Sequence, residues 1–357
     1  MRHLIDIQDF SVRELDELIA SAEDIIDHPA AYADACRGKK LATLFFEPST
    51  RTRLSFEAAM YELGGQVLSV AGGENSSASK GESVADTAKI VSLYADIIAM
   101  RHPREGAPLV ASQNASIPVI NAGDGGHNHP TQTLADLLTI HRECGHFEGL
   151  TVGLCGDLKY GRTVHSLINA LSRYADVRFV LISPKELRLP EYEKRDVLDA
   201  CGLHYTETAD LCEALPTLDV LYMTRIQRER FADADEYERL KDSYILTPDK
   251  MTLAKTNMIV MHPLPRVNEI SVAVDADPRA SYFRQAMYGK YMRMALILRL
   301  LDSAAKAEPD ARSLGEACAE HVCRNPRCIL RTEQELAPRV LRGNGGRVRC
   351  AYCEAER

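Results

Sequence analysis

Short apolar runs alternate along this chain with amphipathic helical ones in two successive series, and that alternation restricts the chain to a parallel α/β architecture. In the first series, segments 40–46, 66–70, 96–100 and 117–121 read as strands, with helices over 54–60, 83–95 and 105–115. A helix over about 131–141 leads into the second series. Its strands are 150–157, 177–182, 219–223 and 258–261, and a helix begins at Thr163. The capping box Ser11-Val12-Arg13-Glu14 opens an earlier helix whose apolar face is Leu15, Leu18, Ile19, Ala22, Ile25 and Ile26. A last amphipathic helix covers 281–305. The expected fold is α/β: two doubly wound parallel-sheet domains, with ligands beyond the carboxyl ends of the strands and a shared site in the cleft.

The bulk numbers exclude several function classes. With 357 residues, 45% of them apolar, the chain can bury a sizeable core in two or three domains. A net charge of -8 argues against wholesale nucleic-acid binding, so any anion site must be built from a few focused cations. No basic, apolar leader opens the sequence and no apolar run approaches the roughly 18 residues of a membrane span, so a cytoplasmic protein is expected. Of ten cysteines, Cys36, Cys144, Cys155, Cys201 and Cys212 are scattered singly and read as reduced small hydrophobes, whereas five crowd into the last forty residues. That crowding marks a separate module.

Between the strand at 40–46 and the helix that follows lies Phe46-Glu47-Pro48-Ser49-Thr50-Arg51-Thr52-Arg53. Pro48 ends the strand, Ser49 and Thr50 are N-cap residues, and the first free N–H groups of the helix suit an anion. Arg51 adds a bidentate fork of the kind phosphate accepts. Arg53 points to another side of the helix and is read as structural support. A bare Ser-Thr-Arg triplet is usually just a capped helix, but the whole octapeptide resembles the carbamoyl-phosphate motif of the aspartate and ornithine transcarbamoylases.

Further segments share that resemblance, which covers nearly all of residues 1–305. It implies that Ser49, Thr50, Arg51 and Thr52 bind carbamoyl phosphate, joined by Arg101 in Met100-Arg101-His102-Pro103 and by His129 and Gln132 in the loop 121–132. His129 would face the carbonyl oxygen as it becomes an oxyanion. A metal at Asp124, His127 and His129 is the rival reading of that loop, and it is weak because no thiolate is present and the two histidines lie two apart. The segment 156–166 lacks a complete G-x-G-x-x-G, so the dinucleotide reading is also weak. By resemblance it belongs to the aspartate branch, with Arg162 on one substrate carboxylate. Arg225 would hold the other, supported by Gln227. In His262-Pro263-Leu264-Pro265 the ornithine enzymes carry a cysteine where Pro263 stands, which favours aspartate. The carbonyls of Leu264 and Pro265 would accept from the reacting amine or amide, across a bond of the X-Pro type that can be cis. His262 is open to two readings, a general base or a packed structural histidine. Ser76 and Lys80, in the polar loop 75–83, would enter the active site of a neighbouring subunit in a homotrimer.

The implied reaction is carbamoyl transfer from carbamoyl phosphate to L-aspartate, giving N-carbamoyl-L-aspartate and phosphate, an early step of de novo pyrimidine biosynthesis. It needs no cofactor for catalysis. Arg51, Arg101, His129 and Lys80 would supply the electrostatics. A transcarbamoylase for another amino acid is the runner-up.

Cys323-x4-Cys328 and Cys350-x2-Cys353, separated by a β-like stretch, form a closed four-thiolate set for structural zinc; disulfides are disfavoured in a reducing compartment. Cys318 falls outside the pattern. The tail resembles the zinc domain of the regulatory chain of bacterial aspartate transcarbamoylase, without that chain's nucleotide-binding domain. The expected domains are 1–130 with 287–305 for carbamoyl phosphate, 131–286 for aspartate, a linker over 306–319, and a zinc-binding domain over 320–357 that clamps its own or a neighbouring catalytic unit and offers a route to higher assembly. A rival reading has the seven arginines between Cys323 and Cys353 contacting nucleic acid. Only Tyr352 supplies aromatic interleaving, and the thiolates offset part of the charge, so no nucleic-acid or membrane partner is expected.

Overall fold

The computed structural model describes residues 1–72, 77–225, 244–310, 312, 314–333, 336–343 and 347–356. The chain forms two compact units: Met1–Thr131 together with Lys290–Arg357, and Gln132–Gly289. Ser76 and Gln227 lie outside the described residues.

In the first unit, α1 (Val12–Asp27) begins at the Ser11–Glu14 capping box and buries Leu15, Leu18, Ile19, Ala22 and Ile25. Four parallel strands follow: β1 (Lys40–Phe45), β2 (Gln66–Ala71), β3 (Ile97–His102) and β4 (Val119–Asp124), in the order β2-β1-β3-β4. The central strands read as continuous apolar runs because both faces are covered. Leu41, Leu44 and Phe45 are buried, each worth about 1.5–3 kcal/mol of transfer free energy. Helices α2 (Thr50–Glu62), α3 (Val84–Val91) and α4 (Ala107–Asn114) connect the strands.

Two of these helices are shorter than the sequence pattern predicts, for local reasons. α3 ends at Val91, where the Ser92 hydroxyl takes the Ala88 carbonyl at 2.7 Å and the chain tightens into turns through Tyr94. α4 starts at Ala107 because Gly106 sits at φ +88° and Glu105 pairs as a strand with Cys328, more than 200 residues away.

The second unit carries β5 (Thr151–Cys155), β6 (Arg178–Ile182), β7 (Tyr205–Thr208), β8 (Val220–Met223) and β9 (Ile259–Met261), all parallel, in the order β7-β6-β5-β8-β9. Its main helices are α5 (Pro130–Cys144), which begins in the last residues of the first unit, α6 (Arg162–Leu171), and the first part of α7 (Tyr282–Ala305). Leu221, Met223, Val260, Leu246 and Tyr282 belong to one apolar core.

The tail forms a small antiparallel sheet, β10 (Glu316–Ala317), β11 (Arg339–Arg342) and β12 (Val348–Cys350), in that order. It packs on its own chain. Cys323, Cys328, Cys350 and Tyr352 share a core with Ile98, Met100, Val84, Ala107 and Val110 of the first unit. Glu105 is the polar centre of this contact. Its N–H donates to the Arg327 carbonyl at 2.9 Å, its carbonyl accepts from Ile329 N–H at 2.9 Å, and its carboxylate meets the Arg327 guanidinium at 2.9 Å and the Asn325 amide. Gly106 allows close approach, since a Cβ there would lie 2.6 Å from the Tyr352 carbonyl. Arg312, between α7 and the small sheet, is held by Asp9. Among the described residues no helix is long and apolar enough to cross a membrane.

Candidate active site and thiolate cluster

The strand order of the first sheet reverses between β1 and β3, and at that switch point the turn carrying Ser49, Thr50, Arg51 and Thr52 follows β1 beside the end of β3, which carries Arg101. The Phe46 N–H donates to the Arg101 carbonyl at 2.9 Å, which fixes the start of the β1–α2 loop against the end of β3. Ser49 occupies the N-cap of α2, yet its hydroxyl caps nothing. Among the described residues, the hydroxyls of Ser49, Thr50 and Thr52 make no hydrogen bond and the Arg51 guanidinium has no ion-pair partner. The first-turn N–H groups of α2 have no intrahelical acceptor either. Partial desolvation lowers the Arg51 pKa. The turn is therefore a set of donors without a protein acceptor, which is what an oxyanion requires. Arg53, by contrast, pairs with Glu57 at 3.6 Å on the same helix.

Arg101 is buried, with Nη2 2.8 Å from Glu47 and Nη1 3.3 Å from the Ala122 carbonyl and 3.4 Å from His129 Nε2. The structure thus brings Arg101 and His129 side by side. Gly123 makes that possible: at φ +121°, a Cβ there would come within 2.7 Å of Arg101 Nη1. Glu47, which holds Arg101, was not singled out by sequence reasoning although it lies inside the octapeptide. Lys80 closes a short helical turn at Ser77–Lys80, is exposed, and has no partner among the described residues.

The His127 and Asp124 pair has a different role. Asp124 accepts from Gly106 N–H, Asn128 N–H and the Asn121 amide, and lies 3.0 Å from His127 Nδ1. Burial alone would depress the His127 pKa, but the Asp124 charge and hydrogen bond outweigh it and lift the pKa to about 10. Burial likewise opposes ionisation of Asp124, yet its pKa is lowered because the His127 charge and the hydrogen bonds prevail. The pair stabilises the fold fully below the unfolded imidazole pKa near 6.5, and the contribution is lost as pH rises through about 10. The unfolding free-energy difference between wild type and His127→Asn should therefore shrink between pH 7 and pH 10. A constant difference across that range, measured by denaturant titration, would refute the assignment.

In the second sheet the order reverses between β5 and β8, and the two expected carboxylate ligands leave from there. Gly156, at φ +116°, lies so close to Thr224 that a Cβ would be 2.4 Å from its carbonyl. Thr224 Oγ1 accepts from Asp157 N–H at 3.0 Å, and Asp157 turns the loop by accepting from Lys159 and Tyr160 N–H. Arg162 is the first residue of α6, and Arg225 follows Thr224 directly. Both are partly exposed.

Also in this unit, Gln132 Nε2 donates to Asp136 Oδ1 at 2.7 Å. The Leu264–Pro265 bond is cis, and Leu264 is held at φ +53°. His262 resolves as the packed histidine: Nδ1 accepts from Leu264 N–H at 2.7 Å and Nε2 lies 2.7 Å from Glu269, leaving neither ring nitrogen for a substrate proton. Burial would raise the Glu269 pKa, but the His262 hydrogen bond and nearby N–H groups bring it below the ordinary carboxylate value.

The two sheets lie within segments that match known domains. Residues 2–142 match the aspartate/ornithine carbamoyltransferase carbamoyl-P binding domain, and residues 148–300 match the Asp/Orn binding domain of the same enzymes. The chain belongs to the aspartate/ornithine carbamoyltransferase family. Among its relatives, the aspartate carbamoyltransferase catalytic subunit of Lachnoclostridium phytofermentans is 61% identical over 302 residues, which span 85% of this chain and 98% of the relative. That of Clostridium botulinum (strain Langeland) is 58% identical over 300 residues, 84% of this chain and 98% of the relative. The catalytic subunit of M. jannaschii aspartate transcarbamoylase superposes with a TM-score of 0.81 at 47% identity, covering 85% of this chain and 99% of that one. Aspartate transcarbamoylase from Trypanosoma cruzi, solved with carbamoyl aspartate and phosphate, gives a TM-score of 0.78 at 41% identity over 84% of this chain and 96% of that one. Neither family domain reaches beyond residue 300.

The tail carries the one group of metal-competent side chains found among the described residues: Cys323, Cys328, Cys350 and Cys353, all buried, with sulfurs within 4.8 Å of one another. Cys323 and Cys353 sulfurs are 3.6 Å apart, and those of Cys328 and Cys350 3.8 Å. Neither is a disulfide distance, and all ten cysteines are free thiols. A tetrahedron with metal–sulfur bonds of about 2.3 Å has edges of about 3.8 Å, so the spacing fits one metal ion. Cys318 stays outside the cluster.

Proposed function

We propose that the chain is an aspartate carbamoyltransferase making N-carbamoyl-L-aspartate and phosphate, an early step of de novo pyrimidine biosynthesis. The observation that carries the choice of acceptor is the placement of Arg162, at the start of the helix that follows β5, and Arg225, just after the adjacent strand β8, since aspartate offers two carboxylates for two guanidinium forks. Ser49, Thr50, Arg51, Thr52 and Arg101 hold the phosphoryl end of the donor; His129, Gln132 and the Leu264 and Pro265 carbonyls address the carbamoyl end. The aspartate amine attacks the carbonyl carbon, a C–N bond forms, the C–O bond to phosphate breaks, and the amine proton leaves with phosphate. The protein supplies no nucleophile. Arg51, Arg101, His129 and Lys80 stabilise charge on the carbonyl oxygen and the leaving group.

Lys80, exposed and without a partner among the described residues, and Ser76 serve the site of an adjacent subunit in a homotrimer. The four thiolates hold structural zinc, making the tail a fused counterpart of a regulatory-chain zinc module. Ten free thiols favour a reducing, cytoplasmic setting.

The test is product identity. With carbamoyl phosphate present, aspartate should yield carbamoyl aspartate while ornithine yields no citrulline. Arg162→Ala should raise the aspartate KM by about 10²-fold or more, the loss of a charge-assisted carboxylate contact, and leave the carbamoyl phosphate KM within about twofold. Citrulline formation, or an unchanged aspartate KM, would refute the acceptor assignment.

A further inference from the structure

Asp136 is fully buried on α5, four residues after Gln132, and the mechanism above gives it no task. Its Oδ1 accepts from Gln132 Nε2 at 2.7 Å and from Gln285 Nε2 at 2.6 Å, and its Oδ2 accepts from the Tyr222 hydroxyl at 3.0 Å. Burial first, and the Asp136 charge second, push the Tyr222 pKa well above its usual value, so the phenol remains a donor. The arrangement continues beyond the carboxylate. Gln285 Oε1 accepts from His262 N–H at 2.9 Å, and His262 Nδ1 accepts from Leu264 N–H at 2.7 Å.

A side-chain amide has one donor end and one acceptor end, and a carboxylate takes only the donor end. Gln132 therefore cannot turn over: its nitrogen is fixed on Asp136, and its Oε1 must face away from that carboxylate. On the reading that Gln132 meets the carbamoyl group, we propose that Asp136 is a specificity-determining positioning residue that obliges Gln132 Oε1 to act as an acceptor, selecting a donor bearing NH2 over one bearing CH3. The cis Leu264–Pro265 segment is tied to the same carboxylate through Gln285 and His262. Asp136 thus bears on two sets of acceptors for one NH2 group, Gln132 Oε1 and the carbonyls of the Leu264–Pro265 segment. A methyl donor leaves these acceptors unmatched, and a site built to bind an N–H penalises an analogue without it far more than an apolar pocket would.

The experiment compares carbamoyl phosphate with acetyl phosphate, both with aspartate as acceptor, in the full chain. Product is identified by mass and phosphate release gives kcat/KM. In Asp136→Asn the new amide can offer its nitrogen, Gln132 can reverse, and its NH2 then opposes the carbamoyl NH2. The ratio of carbamoyl to acetyl kcat/KM should fall by about 30-fold or more, in line with one mismatched hydrogen bond to a buried polar group, while the acetyl reaction changes by less than about threefold. Tyr222→Phe is the second variant. It keeps the carboxylate and the ring but removes the donor on Oδ2, and should lower the ratio by about threefold, a partial loss of orientation. Equal losses with both donors, the mark of a purely structural role, or a ratio unchanged in both variants would overturn the inference. If wild type forms no carbamoyl aspartate, the functional reading fails and this inference with it. Active wild type with an unmoved ratio overturns the inference alone.

Discussion

Arg51→Ala should lower kcat/KM for carbamoyl phosphate by about 10³-fold, the range for removing one preorganised charged donor from a developing oxyanion, with almost no change in thermal stability. The dissociation of these two readouts follows from the structure. Arg51 is exposed, at the first turn of α2, and has no ion-pair partner among the described residues, so its removal breaks no protein contact there. Arg101 makes the informative contrast. Its Glu47 partner is 2.8 Å away and both are largely enclosed, so Arg101→Ala should lose activity and also cost stability by leaving a carboxylate unmatched. Steady-state kinetics with varied carbamoyl phosphate, alongside calorimetric melting, measures both. Arg51→Ala with wild-type kinetics would remove the phosphate site from the β1–α2 turn. Arg51→Lys should recover only part of the loss, because an ammonium keeps the charge but not the two-pronged geometry.

Metal removal should have the largest effect on stability. A four-thiolate zinc site contributes on the order of 10 kcal/mol to folding its own small domain, and the sulfurs sit in the same core as Ile98, Met100 and Val84. Stripping the ion, with a mercurial and chelator or by Cys328→Ser, should unfold the β10–β12 sheet and uncover that apolar face. The expected signals are about four thiols newly reactive per zinc released, following the tetrahedral stoichiometry, together with binding of a hydrophobic dye and a lower first melting transition. If the isolated protein holds no zinc, or if the melt is the same with and without it, the metal assignment fails.

Most of the framework was legible in the sequence because parallel strands buried on both faces write themselves as apolar runs, and because the proposed phosphate turn concentrates its donors in eight consecutive residues. β1, β3, β5 and β8 follow such runs, and the cluster sulfurs sit at spacings that name their own geometry. Illegible were the features set by residues distant in the chain. The late start of α4 depends on Glu105 pairing with Cys328. The role proposed for Asp136 depends on Gln285, 149 positions further on. An acid four residues after the glutamine proposed to meet the carbamoyl group was the available hint, and on a helix that spacing is also what an ordinary solvated pair produces. His262 stayed ambiguous for a related reason: only its two partners, Leu264 N–H and Glu269, decide that its ring is fully engaged.

The Glu105 contact also bears on stoichiometry. Its two sides belong to one polypeptide, and the tail is tethered through Arg312 and the short stretch after α7, so the local concentration of the tail at Glu105 is on the order of millimolar regardless of how dilute the protein is. A module bound in trans would dissociate on dilution below its affinity. Here every catalytic chain carries its tail in a fixed one-to-one ratio, and kinetics at nanomolar enzyme sample the same docked state as a concentrated solution.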